Sequence, residues 1–255
     1  MNHQNVSSRA GRQNELPVEI CIDARDDSTV RAAVAAAYTG GAQRIELCSA
    51  MHLDGLTPDP RHISIARDAF RDRPGLLVMI RPRAGNFCFS PDEVGQMITQ
   101  IELAQQYGAD GVVLGVLNAD DNRIAQKPMR RLLEVARGFG LAVTCHRAFD
   151  ATPDPDEALD TLIDLGVDRV LTSGVPWGEA GNAVDGLPQL LRTIERAGNR
   201  IEVVIGGGVN PRNAATLVAA LPATSRTSLH AYSGAQQGGV TTAEAVRALI
   251  DAIRQ

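Results

Sequence analysis

Eight short runs rich in β-branched and aliphatic residues recur along the chain. They are Val18–Asp23, Arg44–Cys48, Leu76–Arg81, Gly111–Val116, Leu141–His146, Arg169–Ser173, Ile201–Gly206 and Ser228–Tyr232. Their mean spacing, about 30 residues, is that of a strand–helix unit. Helical patterns fill the gaps: Val30, Ala33, Val34 and Ala37 fall on one helix face, as do Leu187, Leu190, Leu191 and Ile194. Helix starts are marked too. Ser90-Pro91-Asp92-Glu93 combines a capping hydroxyl, a proline for the first turn and early carboxylates, and Thr57-Pro58, Thr152-Pro153, Asn210-Pro211 and Thr242 repeat the signal. A glycine recurs at three helix-to-strand joints, Gly41, Gly108 and Gly166, where a left-handed residue ends a helix. Complete alternation with no break in composition predicts α/β architecture as a single (β/α)8 TIM-type barrel over residues 17–255, preceded by a flexible polar tail, 1–16.

The 255 residues are enough to bury a core without disulfides or metal staples. The net charge of −5, with no basic run, argues against nucleic acid or an anionic membrane as partner. No apolar stretch approaches a membrane span, and the first residues lack the apolar segment of a signal peptide. The four cysteines, Cys21, Cys48, Cys88 and Cys145, are therefore expected as reduced thiols of a cytoplasmic protein. No interface is readable, and a homo-oligomer is compatible with the pattern.

Loop lengths identify the working face. Helix-to-strand joints are short, whereas the strand-to-helix links Ser49–Thr57, Pro82–Ser90, Leu117–Lys127 and Gly174–Gly186 are long. In this architecture those links build the site. Strand alternation puts Glu19 and Cys21 on one face and Ile20 and Ile22 on the other, and it pairs Glu46 with Cys48 against Ile45 and Leu47. Arg81, His146 and His230 lie at or near later strand ends, so these ionisable groups are expected to converge inside the barrel; mutual neutralisation in a buried ion-pair network is the alternative. Cys145 has the opposite parity and is expected to face the helices. Cys21 and Cys48, on neighbouring strands about 4.8 Å apart, are candidate ligands of one soft ion such as copper(I), with Cys88 as a third. Gly206-Gly207-Gly208 and Ser233, after the last two strands, are candidate anion-binding elements. Trp177, the only tryptophan, is expected to pack its loop.

An ordered set of motifs carries a resemblance. Glu19-Ile20-Cys21, Arg44-Ile45-Glu46-Leu47-Cys48-Ser49, Gly55-Leu56-Thr57-Pro58, Met79-Ile80-Arg81-Pro82-Arg83, His146-Arg147-Ala148-Phe149-Asp150, Leu171-Thr172-Ser173-Gly174 and Gly206-Gly207-Gly208-Val209 resemble the CutC family, named for copper homeostasis. The resemblance implies a TIM-type barrel in the cytoplasm and copper(I) binding by Cys21 and Cys48. The chain departs from the family pattern at Ala84, at Asn86, at Ala231-Tyr232-Ser233 and in a long segment from Val175 to Asp185. The residue inventory also fits an enzyme acting on a small anionic or phosphorylated metabolite. Glu19, Glu46, Arg81, His146, Asp150 and His230 would then be the catalytic set, with Arg83 and the glycine turn holding the anion.

Overall fold

The computed structural model describes residues 16–254. The expected tail, apart from Leu16, and the final Gln255 lie outside the described residues. Eight strands form a closed barrel: β1 (Val18–Asp23), β2 (Arg44–Cys48), β3 (Leu76–Met79), β4 (Gly111–Leu114), β5 (Ala142–Cys145), β6 (Arg169–Thr172), β7 (Glu202–Ile205) and β8 (Thr227–Ala231). Every neighbour is the next strand in sequence, every pair is parallel, and β8 closes on β1. Eight helices alternate with them: α1 (Asp27–Gly40), α2 (Pro60–Phe70), α3 (Pro91–Gln106), α4 (Gln126–Gly138), α5 (Pro155–Asp164), α6 (Leu187–Ala197), α7 (Ala214–Ala220) and α8 (Ala243–Ala252). A short hairpin, β9 (Gln236–Gln237) and β10 (Val240–Thr241), separates β8 from α8.

The local signals explain these elements. Ser90 caps α3 in a reciprocal capping box with Glu93. Gly41, Gly108 and Gly166 all have positive φ at the joints where the sequence calls for a left-handed residue. Several strands end one or two residues earlier than hydrophobicity alone predicts: Arg81, Val116, His146, Ser173 and Gly206 have left the ladder. These residues start the loops of the working face, so the strand pattern continues into backbone that already turns.

Parity divides the molecule into two layers. Ile20, Ile22, Ile45, Leu47, Val78, Val112 and Val143 pack outward into the continuous core beneath the helices, and Cys145 joins them. Cys21, Cys48, Leu77, Met79 and Val113 point inward and form a separate small cluster. Below that cluster, at the N-terminal ends of the strands, the barrel is filled by charged and hydroxyl side chains. Arg44 donates from Nε to Glu19 Oε2 at 3.0 Å and from Nη2 to Glu202 Oε1 at 2.6 Å and Ser228 Oγ at 2.6 Å. Arg169 Nε donates to Thr144 Oγ1 at 3.0 Å. Glu19 thus faces inward as its parity predicts, but its ion pair with Arg44 belongs to the floor of the barrel.

Candidate functional site

A cavity of about 280 Å³ opens at the C-terminal ends of the strands. Its lining includes Cys21, Glu46, Cys48, His146 and His230 from the inward parity, together with Arg81. A larger groove of about 400 Å³ runs outside the barrel near the starts of α4 and α5, where Arg123 pairs with Glu157 at the surface. It gathers none of the buried ionisable groups, so the chemistry is concentrated in the mouth.

One wall of the mouth is sulfur. Cys21 Sγ lies 3.8 Å from Cys48 Sγ and 3.7 Å from Met51 Sδ. The two cysteines are each 1% exposed. They come together because β1 and β2 are neighbours in which Cys21 pairs with Glu46 and Asp23 with Cys48, making the thiols diagonal on one face. Met51 comes from the following loop. Ala50 adopts a left-handed conformation, φ 49° and ψ 53°, and so turns the chain back over β1. That conformation costs an alanine about 1 kcal/mol and holds only where the surroundings enforce it. Parity could not reveal Met51, although the spacing Cys48-Ser49-Ala50-Met51 was a usable signal.

Beside the sulfurs, Glu46 Oε2 lies 2.8 Å from His230 Nε2. The bond and charge of the partner hold the Glu46 carboxyl below its usual range against the cost of burial, and the same contact, with one to Cys21, raises His230 well above an ordinary histidine. The pair is therefore an imidazolium–carboxylate at neutral pH. Ligand atoms of Cys21, Glu46 and His230 all lie within 4.8 Å of one another. Contact with Cys21 and burial push the Cys48 thiol well above the ordinary thiol range, so it is protonated in this state.

His146 enters from the opposite side, after β5. Burial, reinforced by the Arg81 charge, lowers it to about 3, so the ring is neutral. Its Nδ1 accepts from the Ala148 N–H at 3.2 Å, which places the proton on Nε2, a buried atom with no partner among the described residues. Gly115 makes room for the ring. A Cβ there would fall 2.8 Å from Cε1 and 2.9 Å from Nδ1 of His146. Gly206 likewise lies against His230, where a Cβ would come within 3.3 Å of Nδ1.

The other candidate residues take different places. Arg81 is 1% exposed, and its guanidinium clamps loops: Nη1 donates to the carbonyls of Leu53, Asp54 and Gly55, and Nη2 to that of Gly85 at 2.8 Å. Arg83 pairs with Glu93 at 2.5 Å and donates to Asn86 and to the Cys88 carbonyl, outside the cavity lining. Cys88 itself points at the Asn118 carbonyl and stands apart from the two inward cysteines. Asp150 is buried and accepts from Thr172 Oγ1 at 2.5 Å, from the Ser173 N–H at 3.1 Å and from Arg147 Nε at 2.8 Å. The Gly206–Gly208 turn packs on the long loop after β6: Gly207 accepts from the Ala183 N–H, and Gly208 accepts from Asn210 and Asn213. Ser233 is exposed beyond the end of β8. Trp177 packs edge-to-face on Phe87 at 5.1 Å and also lines the mouth.

A closed (β/α)8 barrel with a sulfur-lined, ionisable mouth at its strand ends is the class of protein that this geometry defines. The chain belongs to the CutC family, whose sequence profile matches residues 16–235. It is 41% identical over 203 residues to a CutC family protein of Pasteurella multocida, covering 80% of this chain and 77% of that one. It is 42% identical over 207 residues to the human copper homeostasis protein cutC homolog, covering 81% and 70%. The crystal structure of CutC from Streptococcus agalactiae superposes with a TM-score of 0.71 at 29% identity, covering 84% of this chain and 98% of that one.

Proposed function

We propose that the protein binds copper(I) at the mouth of the barrel through Cys21 and Cys48, with Met51 as third ligand, and serves copper homeostasis in the cytoplasm. The observation that carries this reading is the sulfur triplet. Two metal–sulfur bonds of about 2.3 Å meeting at ~110° span the 3.8 Å between the thiols. A thioether beside two thiols suits copper(I) rather than zinc, which takes nitrogen, oxygen and thiolate ligands. The His230 imidazolium next to Cys21 offsets the negative charge that two metal-bound thiolates bring. Binding also displaces the proton from Cys48, as ligation of a thiol requires.

The test is an anaerobic copper(I) titration of reduced protein against a competing chromophoric chelator. One equivalent is expected to bind. Cys21→Ser with Cys48→Ser should abolish loading, and Met51→Leu should weaken it by about tenfold, the loss of roughly one ligand interaction of ~1.4 kcal/mol. Equal loading by the double variant would overturn the reading.

A further inference from the structure

Across the mouth from the sulfurs, Arg147 presents an unused pair of donors. Its Nε donates to Asp150 Oδ2 at 2.8 Å and its Nη2 to Ser173 Oγ at 2.8 Å. Those two N–H groups lie on one side edge of the planar guanidinium. The end edge, made of Nη1 and the second proton of Nη2, has no bond among the described residues. The side chain lines the cavity and is 32% exposed. It is also held rigidly. Asp150 is fixed by Thr172 and Ser173, and the Trp177 ring lies against the guanidinium at 5.1 Å. A fixed, planar pair of charged donors matches a carboxylate in a bidentate fork.

Three further atoms of residues lining the cavity lack partners among the described residues: His146 Nε2, a neutral N–H donor, Arg81 Nε, a charged donor, and Glu46 Oε1, an acceptor. Buried polar atoms left unpaired cost free energy, and a bound polar molecule recovers it. Met79, Phe87 and Leu171 supply apolar wall between them. At about 280 Å³ the space lies near the lower end of ligand pockets, ~300 Å³, which restricts the occupant to a few carbon atoms.

We propose that the mouth binds a short-chain hydroxy- or oxo-carboxylate, with its carboxylate on the end edge of Arg147 and its oxygen on His146 Nε2. Its two anchors, Arg147 and His146, follow β5, whereas the sulfurs come from β1, β2 and the loop after β2, so carboxylate binding and copper loading are separable by substitution. Trp177, the single tryptophan, lies against Arg147 and makes intrinsic fluorescence a local reporter. Metal-free reduced protein is titrated with lactate, pyruvate, propionate and inorganic phosphate, with calorimetry in parallel.

Lactate or pyruvate is expected to saturate the signal, and propionate, which lacks the second oxygen, to bind several-fold more weakly. Arg147→Met should weaken binding by about tenfold or more, the usual effect of losing a charge-assisted hydrogen bond. Arg147→Lys, which keeps the charge but not the fork, should also bind more weakly while loading copper(I) as the wild type does. Cooperative thermal melts verify that both variants fold. No saturable change with lactate or pyruvate up to about 50 mM, a range covering very weak affinities, would overturn the proposal. So would unchanged binding in Arg147→Lys, or phosphate binding more tightly than either carboxylate.

Discussion

His146 and His230 face the same cavity in opposite charge states. His230 gains a carboxylate partner and holds its proton, whereas His146 is buried beside Arg81 and gives its proton up. Between its folded value of about 3 and the ordinary 6.5, the unfolded chain binds a proton at His146 that the folded chain refuses. Stability therefore falls as pH drops through that window, by up to ~1.4 kcal/mol per pH unit. Denaturant unfolding at pH 6.5 and pH 4.5 should show wild type losing about 2 kcal/mol more than His146→Gln, and equal losses would refute the assignment. At this scale the sequence told which residues point inward. Alternation alone placed Cys21, Glu46, Cys48 and His230 on the inner face. It could not tell height along the barrel, so Glu19 belongs to a different layer. Nor could it tell which donors are already engaged. Arg81 read as a catalytic residue and Arg83 as the anion-binding fork, yet loop carbonyls engage both terminal nitrogens of Arg81 and Glu93 pairs with Arg83, whereas the end edge of Arg147 at the mouth has no bond among the described residues.

The elements that carry the site are loops fastened by side chains. Arg81, two residues beyond the end of β3 at Met79, ties the loop after β2 to the loop after β3 through four carbonyls. The first of these loops contains Met51. Arg81→Lys keeps the charge but cannot match four acceptors spread over a planar fork. It should cost about 2–4 kcal/mol, speed proteolysis between residues 49 and 57, and weaken copper(I) loading through Met51. Limited proteolysis together with chelator competition checks this, and an unaltered cleavage rate would show that the clamp is unimportant. Strand number and order were legible because alternation is a local code, and so were the caps Ser90 and Thr242, but α2 and α5 start two residues later than Thr57 and Thr152 suggest, capped by Asp59 and Asp154, and α7 starts only after Asn213. Loop shape was not, because the left-handed turn at Ala50 rests on contacts distant in sequence, and alanine carries no signal for it.

For the molecule as a whole, paired charged side chains fill one end of the barrel and leave the other open to chemistry. The mutual neutralisation of Glu19, Glu46 and Arg81 that the sequence offered as an alternative does not form: Arg44 joins Glu19 to Glu202 at the floor, Glu46 pairs with His230 at the mouth, and Arg81 bonds loop carbonyls. Arg44→Met would strand two buried carboxylates and should cost about 3–5 kcal/mol in denaturant unfolding at pH 7 while leaving copper(I) stoichiometry intact. Loss of stoichiometry in a variant that still folds would show that the two ends are coupled. That packed floor also makes the interior a blind well. Whatever reaches the sulfurs enters by the mouth that Trp177 and Arg147 also line, and leaves by the same route. Traffic is then governed by the girth of the visitor as much as by its affinity.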